Sequence, residues 1–177
     1  MRPEKRGIET SRLKCPVVNT SGWIAARTAS FLYLHALSPQ WTFYATAQMQ
    51  LAGKNFDSSE KFSLGGAQGV RSYPSGEASG DEGYSGTVEL RYALPQWLGA
   101  TPSLVVFGDA GSVRINRNPF AAGRNSRDLG AAGIGVTLVK DADFAVRAFW
   151  AKKTTGDPAT ADNDRSGRGW IQAVKYF

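Results

Sequence analysis

The sequence predicts an all-β chain of long antiparallel strands, on three observations. Apolar and polar residues alternate over runs such as Trp41–Ala52, longer than the five or six residues of an ordinary globular strand. Clusters of Gly, Ser, Pro and Asp punctuate these runs, and no segment carries a convincing amphipathic helical period. The 177 residues, 42% of them hydrophobic and including 20 glycines, suit one folded domain rather than a disordered chain. A mean hydropathy of -0.30 argues against a helical membrane bundle, and no run approaches the roughly 18 apolar residues of a spanning helix. That test is blind to a membrane barrel, in which lipid-facing and lumen-facing residues alternate.

Residues 1–22 are polar and aperiodic and read as an irregular N-terminal tail. The folded region is expected to span 23–177. Its first strand is Ser30–Leu37, followed by the turn Ser38-Pro39-Gln40 and by Trp41–Ala52. In this second strand Trp41, Phe43, Ala45, Ala47, Met49 and Leu51 share one face, while Thr42, Thr46, Gln48 and Gln50 share the other. A Gly/Ser-rich segment, 53–84, then forms a loop too long to be a plain connection. Thr87–Leu94 alternates again and is ended by Pro95, which has no N–H for a sheet ladder. Ser103–Gly111 is the next strand, a hairpin of Leu129–Lys140 and Asp143–Lys152 follows, and Gly167–Phe177 is the last.

Seven strands result, and several carry a charged or amide residue at mid-length: Gln48, Glu89, Arg91, Asp109 and Arg147. In a soluble sandwich that face would meet solvent. In a transmembrane barrel it would meet the lumen. Strand length and the terminal Phe177 favour the barrel, since bacterial outer-membrane proteins commonly end in an aromatic residue.

The net charge of +6 is spread singly along the chain, apart from Arg2, Lys5 and Arg6 near the start, and no nucleic-acid-binding signature accompanies it. The lone Cys15 excludes an internal disulfide and a multi-cysteine metal site, the single His35 leaves no two-histidine site, and a Cys/His pair would require a chance meeting across the fold. A hydrolase is disfavoured because no G-x-S-x-G motif is present. No apolar signal-peptide core opens the sequence, so an exported barrel is expected to be a piece of a longer precursor or a truncated reading frame.

The segment Ser59–Pro95 carries four short motifs in order: Gly65-Gly66, Val70-Arg71-Ser72-Tyr73, Gly80-Asp81-Glu82-Gly83 and Glu89-Leu90-Arg91. Phe107-Gly108-Asp109-Ala110-Gly111 follows. Taken alone, Arg71 is as readily a solvated loop arginine, and Asp109 a turn former. Together these elements resemble the two-partner secretion transporters of the outer membrane, the haemolysin secretion/activation proteins, with their V-R-G-[YF] tetrad, G-D-x-G element and F-x-D-x-G strand. The similarity runs from about Ser30 to the C-terminus and leaves out residues 1–22.

The resemblance implies about seven C-terminal strands of a 16-stranded antiparallel barrel, with the long loop folded into the lumen. It implies that Arg71 of the tetrad meets Asp109 on the barrel wall, with Tyr73, Phe107 and Gly111 in support. It also implies a transport role with a secreted haemolysin- or adhesin-like exoprotein and outer-membrane lipid as partners, and no catalysis, cofactor or nucleic acid. The runners-up are a barrel-assembly factor of the same superfamily and a non-functional remnant. Three departures stand out. Ser72 replaces the usual glycine, and would be strained if that position needs positive φ. Lys175 falls on the lipid-facing register of the last strand. The periplasmic domains that recognise the exported partner, and more than half of the barrel, have no counterpart in this sequence.

Overall fold

The computed structural model describes the backbone of residues 14–20 and, in full, residues 26–120, 122–140 and 143–176. The basic stretch Arg2, Lys5 and Arg6, the Trp23 boundary, the hairpin residues Asp141 and Ala142, and Phe177 lie outside the described residues. Ten strands are present among the described residues: β1 (Lys14–Thr20), β2 (Ala26–Ala36), β3 (Trp41–Ala52), β4 (Phe62–Ser63), β5 (Ser79–Gly80), β6 (Glu82–Ala93), β7 (Thr101–Arg114), β8 (Ser126–Lys140), β9 (Phe144–Gly156) and β10 (Gly167–Lys175). Eight form one sheet in the order β1-β2-β3-β6-β7-β8-β9-β10, and β4 pairs with β5 inside the long loop. Every strand pairing is antiparallel. This is the all-β architecture of an outer-membrane barrel wall, left open with β1 and β10 at its edges.

The seven expected strands are all present, and the sheet gains an eighth. Lys14–Thr20, inside the stretch expected to be an irregular tail, pairs with β2 across Val17↔Ser30 and Thr20↔Arg27. This ladder lies before the alternating stretches and is made by backbone groups, which a search for side-chain periodicity does not detect.

The sheet is inverted relative to a soluble protein. Val88, Leu90, Leu104, Val106, Ile134, Val136, Trp150 and Ile171 are exposed on its outer face. The charged mid-strand residues Glu89 and Asp109 are buried on its inner face. Apolar surface outside and polar groups inside is the arrangement a bilayer selects. Tyr84 and Tyr92 stand eight residues apart on the outer face of β6. At about 3.4 Å per residue that is about 27 Å along the strand, and about 21 Å across the membrane at a tilt near 40°, a little less than the roughly 25 Å apolar band between aromatic girdles.

Short turns (37–40, 94–100 and the Lys140–Phe144 hairpin) join the strands at one end, and the long connections 53–81, 115–125 and 157–166 lie at the other. Lys175 shares the outer register of Ile171 but sits at the short-turn end, where it pairs with Asp143, itself 3.0 Å from Lys140. The lysine is therefore at a strand terminus beside a counter-charge rather than in mid-belt.

Core packing lies between the long loop and the inner face. Leu64, Val70, Tyr73 and Ala78 of the loop meet Val113 of β7 and Leu129 and Ala131 of β8. In a flat sheet β6 and β10 would be four strand spacings, about 19 Å, apart. Arg71 touches Glu89 on β6 and Trp170 on β10 at once, so the sheet curls around the loop.

Candidate functional site

Arg71 is the centre of the inner face. The loop delivers it through a tight double-back: Gly66, at φ +116°, turns the chain after β4, and Val70 N–H donates to the Leu64 carbonyl at 2.7 Å. Gly65 lies against the returning loop backbone, where a Cβ would come within 2.3 Å of the Pro74 carbonyl oxygen. With Val70 and Tyr73 fully buried, the tetrad is wedged against β7–β9 and Arg71 points along the inner wall.

All three donor nitrogens of the guanidinium are engaged. Nε donates to Asp109 Oδ2 at 2.9 Å, Nη2 to Asp109 Oδ1 at 2.8 Å, and Nη1 to Glu89 Oε1 at 2.8 Å. The Arg71 backbone N–H adds a bond to Asp109 Oδ2 at 3.1 Å. Thr87 Oγ1 donates to Asp109 Oδ1 at 2.9 Å, and Arg91 donates to the free oxygen of Glu89 through Nε and Nη2 at 2.8 and 2.6 Å. The planar fork thus bridges two carboxylates on adjacent strands, a geometry lysine cannot reproduce. Burial opposes its charge, but the bonds and charges of Asp109 and Glu89 outweigh it and hold the guanidinium above its ordinary pKa. Phe107 supports it from below, 3.4 Å from Cζ, with Phe149 4.9 Å away. Trp170 Nε1–H caps the Arg71 carbonyl at 2.7 Å.

The other predicted residues fall around this centre. Gly111 gives Leu64 room, since a Cβ there would meet Leu64 Cδ2 at 2.6 Å. Phe107 packs under the arginine. Gly80 and Gly83 abut β7, at the Arg114 carbonyl and the Val113 side chain. Ser72 is buried but keeps a negative φ, so the strain expected of a non-glycine there does not arise; its hydroxyl has no hydrogen-bond partner. His35 is on the outer face, stacked on Tyr33 at 6.0 Å, away from the site. No group of three or more candidate metal ligands occurs among the described residues.

Two buried acids tie the loop at other heights. Asp81 accepts from the backbone N–H of Phe56 (3.1 Å) and Arg117 (2.8 Å) and pairs with Lys61 at 3.2 Å. Glu77, which the sequence reading did not single out, accepts from Thr160 and Ala161 N–H at 2.9 and 2.8 Å and pairs with Arg127. Burial would raise both pKa values, but these bonds hold each carboxyl below the ordinary range. A depressed folded pKa contributes stability above the unfolded value, lost as pH falls through the folded one. Amide exchange of residues 53–81, corrected for intrinsic rates, is therefore expected to stay slow from pH 7 to 5 and to accelerate only below about pH 4. A steady rise between pH 7 and 5 would contradict this assignment.

The arrangement is a buried ionic bridge from Arg71 of the long loop to Asp109 and Glu89 on the sheet. The sequence model of the haemolysin secretion/activation protein ShlB/FhaC/HecB matches residues 19–138, from the end of β1 through β8. The heme/hemopexin transporter protein HuxB of Haemophilus influenzae (strain Rd) is 30% identical over 131 residues, 72% of this chain and 23% of that protein. HuxB of strain 86-028NP is 29% identical over the same span. This chain thus spans under a quarter of the length of the curated relatives it matches. No solved structure matches it significantly. A family match over more than half of the chain and the inverted antiparallel sheet lead to one conclusion: the chain belongs to the haemolysin secretion/activation protein family ShlB/FhaC/HecB.

Proposed function

We propose that this segment forms the gated part of an outer-membrane channel that exports an unfolded exoprotein, with the loop 53–81 as the gate and Arg71 as its latch. The observation that carries the reading is the double ionic bridge from Arg71 to Asp109 and Glu89, buried at the tip of a loop that fills the inner face. Its worth is positional, because desolvation offsets much of the attraction in a buried ion pair, while the fork holds the loop in one place. The sheet supplies the wall and no bond is made or broken.

The long-loop end faces the outside and the short turns face the periplasm, following the usual asymmetry of bacterial barrels. The cargo is an exoprotein of haemolysin, adhesin or heme/hemopexin-handling type, the last suggested by the HuxB name. A complete family transporter carrying residues 19–177 of this sequence tests the proposal. Cells expressing it with the matching exoprotein are expected to release that protein into the medium. If the exoprotein stays periplasmic while other outer-membrane barrels fail to assemble, the barrel-assembly reading replaces this one.

A further inference from the structure

We propose that Glu77 is a positioning residue that ties the inner loop to the surface loop 157–166, so that the two move as one unit during transport. The inference rests on the transport reading above and assigns a second, outward coupling to the same loop.

Glu77 is fully buried although it lies in a Ser/Gly-rich stretch. Its Oε2 accepts from two successive backbone amides, Thr160 and Ala161, and its Oε1 accepts from Thr160 Oγ1 at 2.9 Å and meets Arg127 Nη1 at 2.6 Å. Arg127, on β8, also donates to Thr160 Oγ1 at 2.8 Å and to the Pro158 carbonyl at 2.6 Å. Tyr73 of the inner loop donates its hydroxyl to the Asp157 carbonyl at 2.9 Å, and Ala159 packs against the loop core. The surface loop therefore gives amides that a turn would satisfy internally to a side chain more than eighty residues away. Its shape is templated on the inner loop.

Glu77 is six residues beyond Arg71. A displacement that frees the latch must either carry 157–166 with it or strip a buried carboxylate of its three bonds to that loop. The second course leaves an uncompensated charge inside the protein, which is strongly disfavoured. Opening the inner gate thus moves the external loop.

Electron-electron distance measurement on spin labels tests this in a complete family transporter carrying residues 19–177, a span without a native cysteine, with the introduced cysteines as its only thiols. Ser75→Cys and Asn163→Cys, both exposed, report the loop-to-loop distance, and Ile134→Cys on the outer wall is the fixed reference. With Glu77 intact, Arg71→Ala is expected to broaden both loop-to-wall distances at least twofold and leave the 75–163 distance narrow. Glu77→Gln is expected to broaden the 75–163 distance itself. Arg127→Gln, which keeps the three other bonds of the carboxylate, should do so more weakly and serves if Glu77→Gln yields no heat-modifiable barrel. A 75–163 distance unchanged by these variants, or broadened by Arg71→Ala alone, overturns the coupling. These distances do not depend on secretion, so a segment that fails to export its exoprotein would sink the transport reading alone.

Discussion

Arg71→Ala, made in a complete transporter carrying this segment, is expected to abolish secretion, and to do so more completely than Asp109→Ala. The difference follows from what each change leaves behind. Without Arg71, Asp109 and Glu89 remain buried on neighbouring strands, with Thr87 and Arg91 as their remaining side-chain partners. Breaking a buried ionic network in this way costs about 3–5 kcal/mol. Without Asp109, the guanidinium keeps Glu89 and the Phe107 ring, so the loss is closer to that of a few charge-assisted bonds, roughly 1–3 kcal/mol each before the remaining contacts adjust. The double variant should be no worse than Arg71→Ala, because both changes remove one interaction. Secreted exoprotein, read with loop amide exchange, checks this. Additive losses would mean that the two residues act independently and that no latch exists.

The second large effect involves no charged group. Gly133→Val is expected to reduce secretion to the level of Asp109→Ala. A Cβ at Gly133 would come within 2.5 Å of Phe107 Cζ and 2.2 Å of the Trp150 carbonyl oxygen. The Phe107 ring occupies that space and in turn lies 3.4 Å beneath Arg71. Overpacking costs about 1–3 kcal/mol by itself, and moving the ring also tilts the surface on which the guanidinium rests. Ala132→Val, one residue away and facing outward, is the control and should secrete normally. Equal behaviour of the two variants would show that the strand only tolerates or rejects bulk, and that the ring plays no part in the latch.

The strands were legible because alternation survives inversion. Which face is lipid-facing does not alter a period of two, so Trp41–Ala52 reads as a strand in either setting. The tetrad and Asp109 were legible through resemblance, since a solvated arginine and a buried one look alike in sequence. Glu77 was not legible for a physical reason: its partners are backbone amides of Thr160 and Ala161, and amides carry no residue identity. Trp170 and Phe149 were placed on strands but not at the site, because only the curl of the sheet brings β9 and β10 to a loop rooted beside β3. At Ser72 the sequence left a condition open, strain only if the position needs positive φ, and the backbone there is ordinary.

The inverted sheet also has a kinetic side. Contacts at the loop tip span 38 residues to Asp109 and 99 to Trp170, so most of its stability arrives through large chain closures, the slowest kind to form. If β6 to β10 are added one hairpin at a time around a loop already seated, each new strand makes a local ladder and finds its inward partner waiting. A loop that enters last must instead push through a finished, curled wall. The loop is then a mandrel as well as the proposed gate, and the order of assembly is written into which residues hold it.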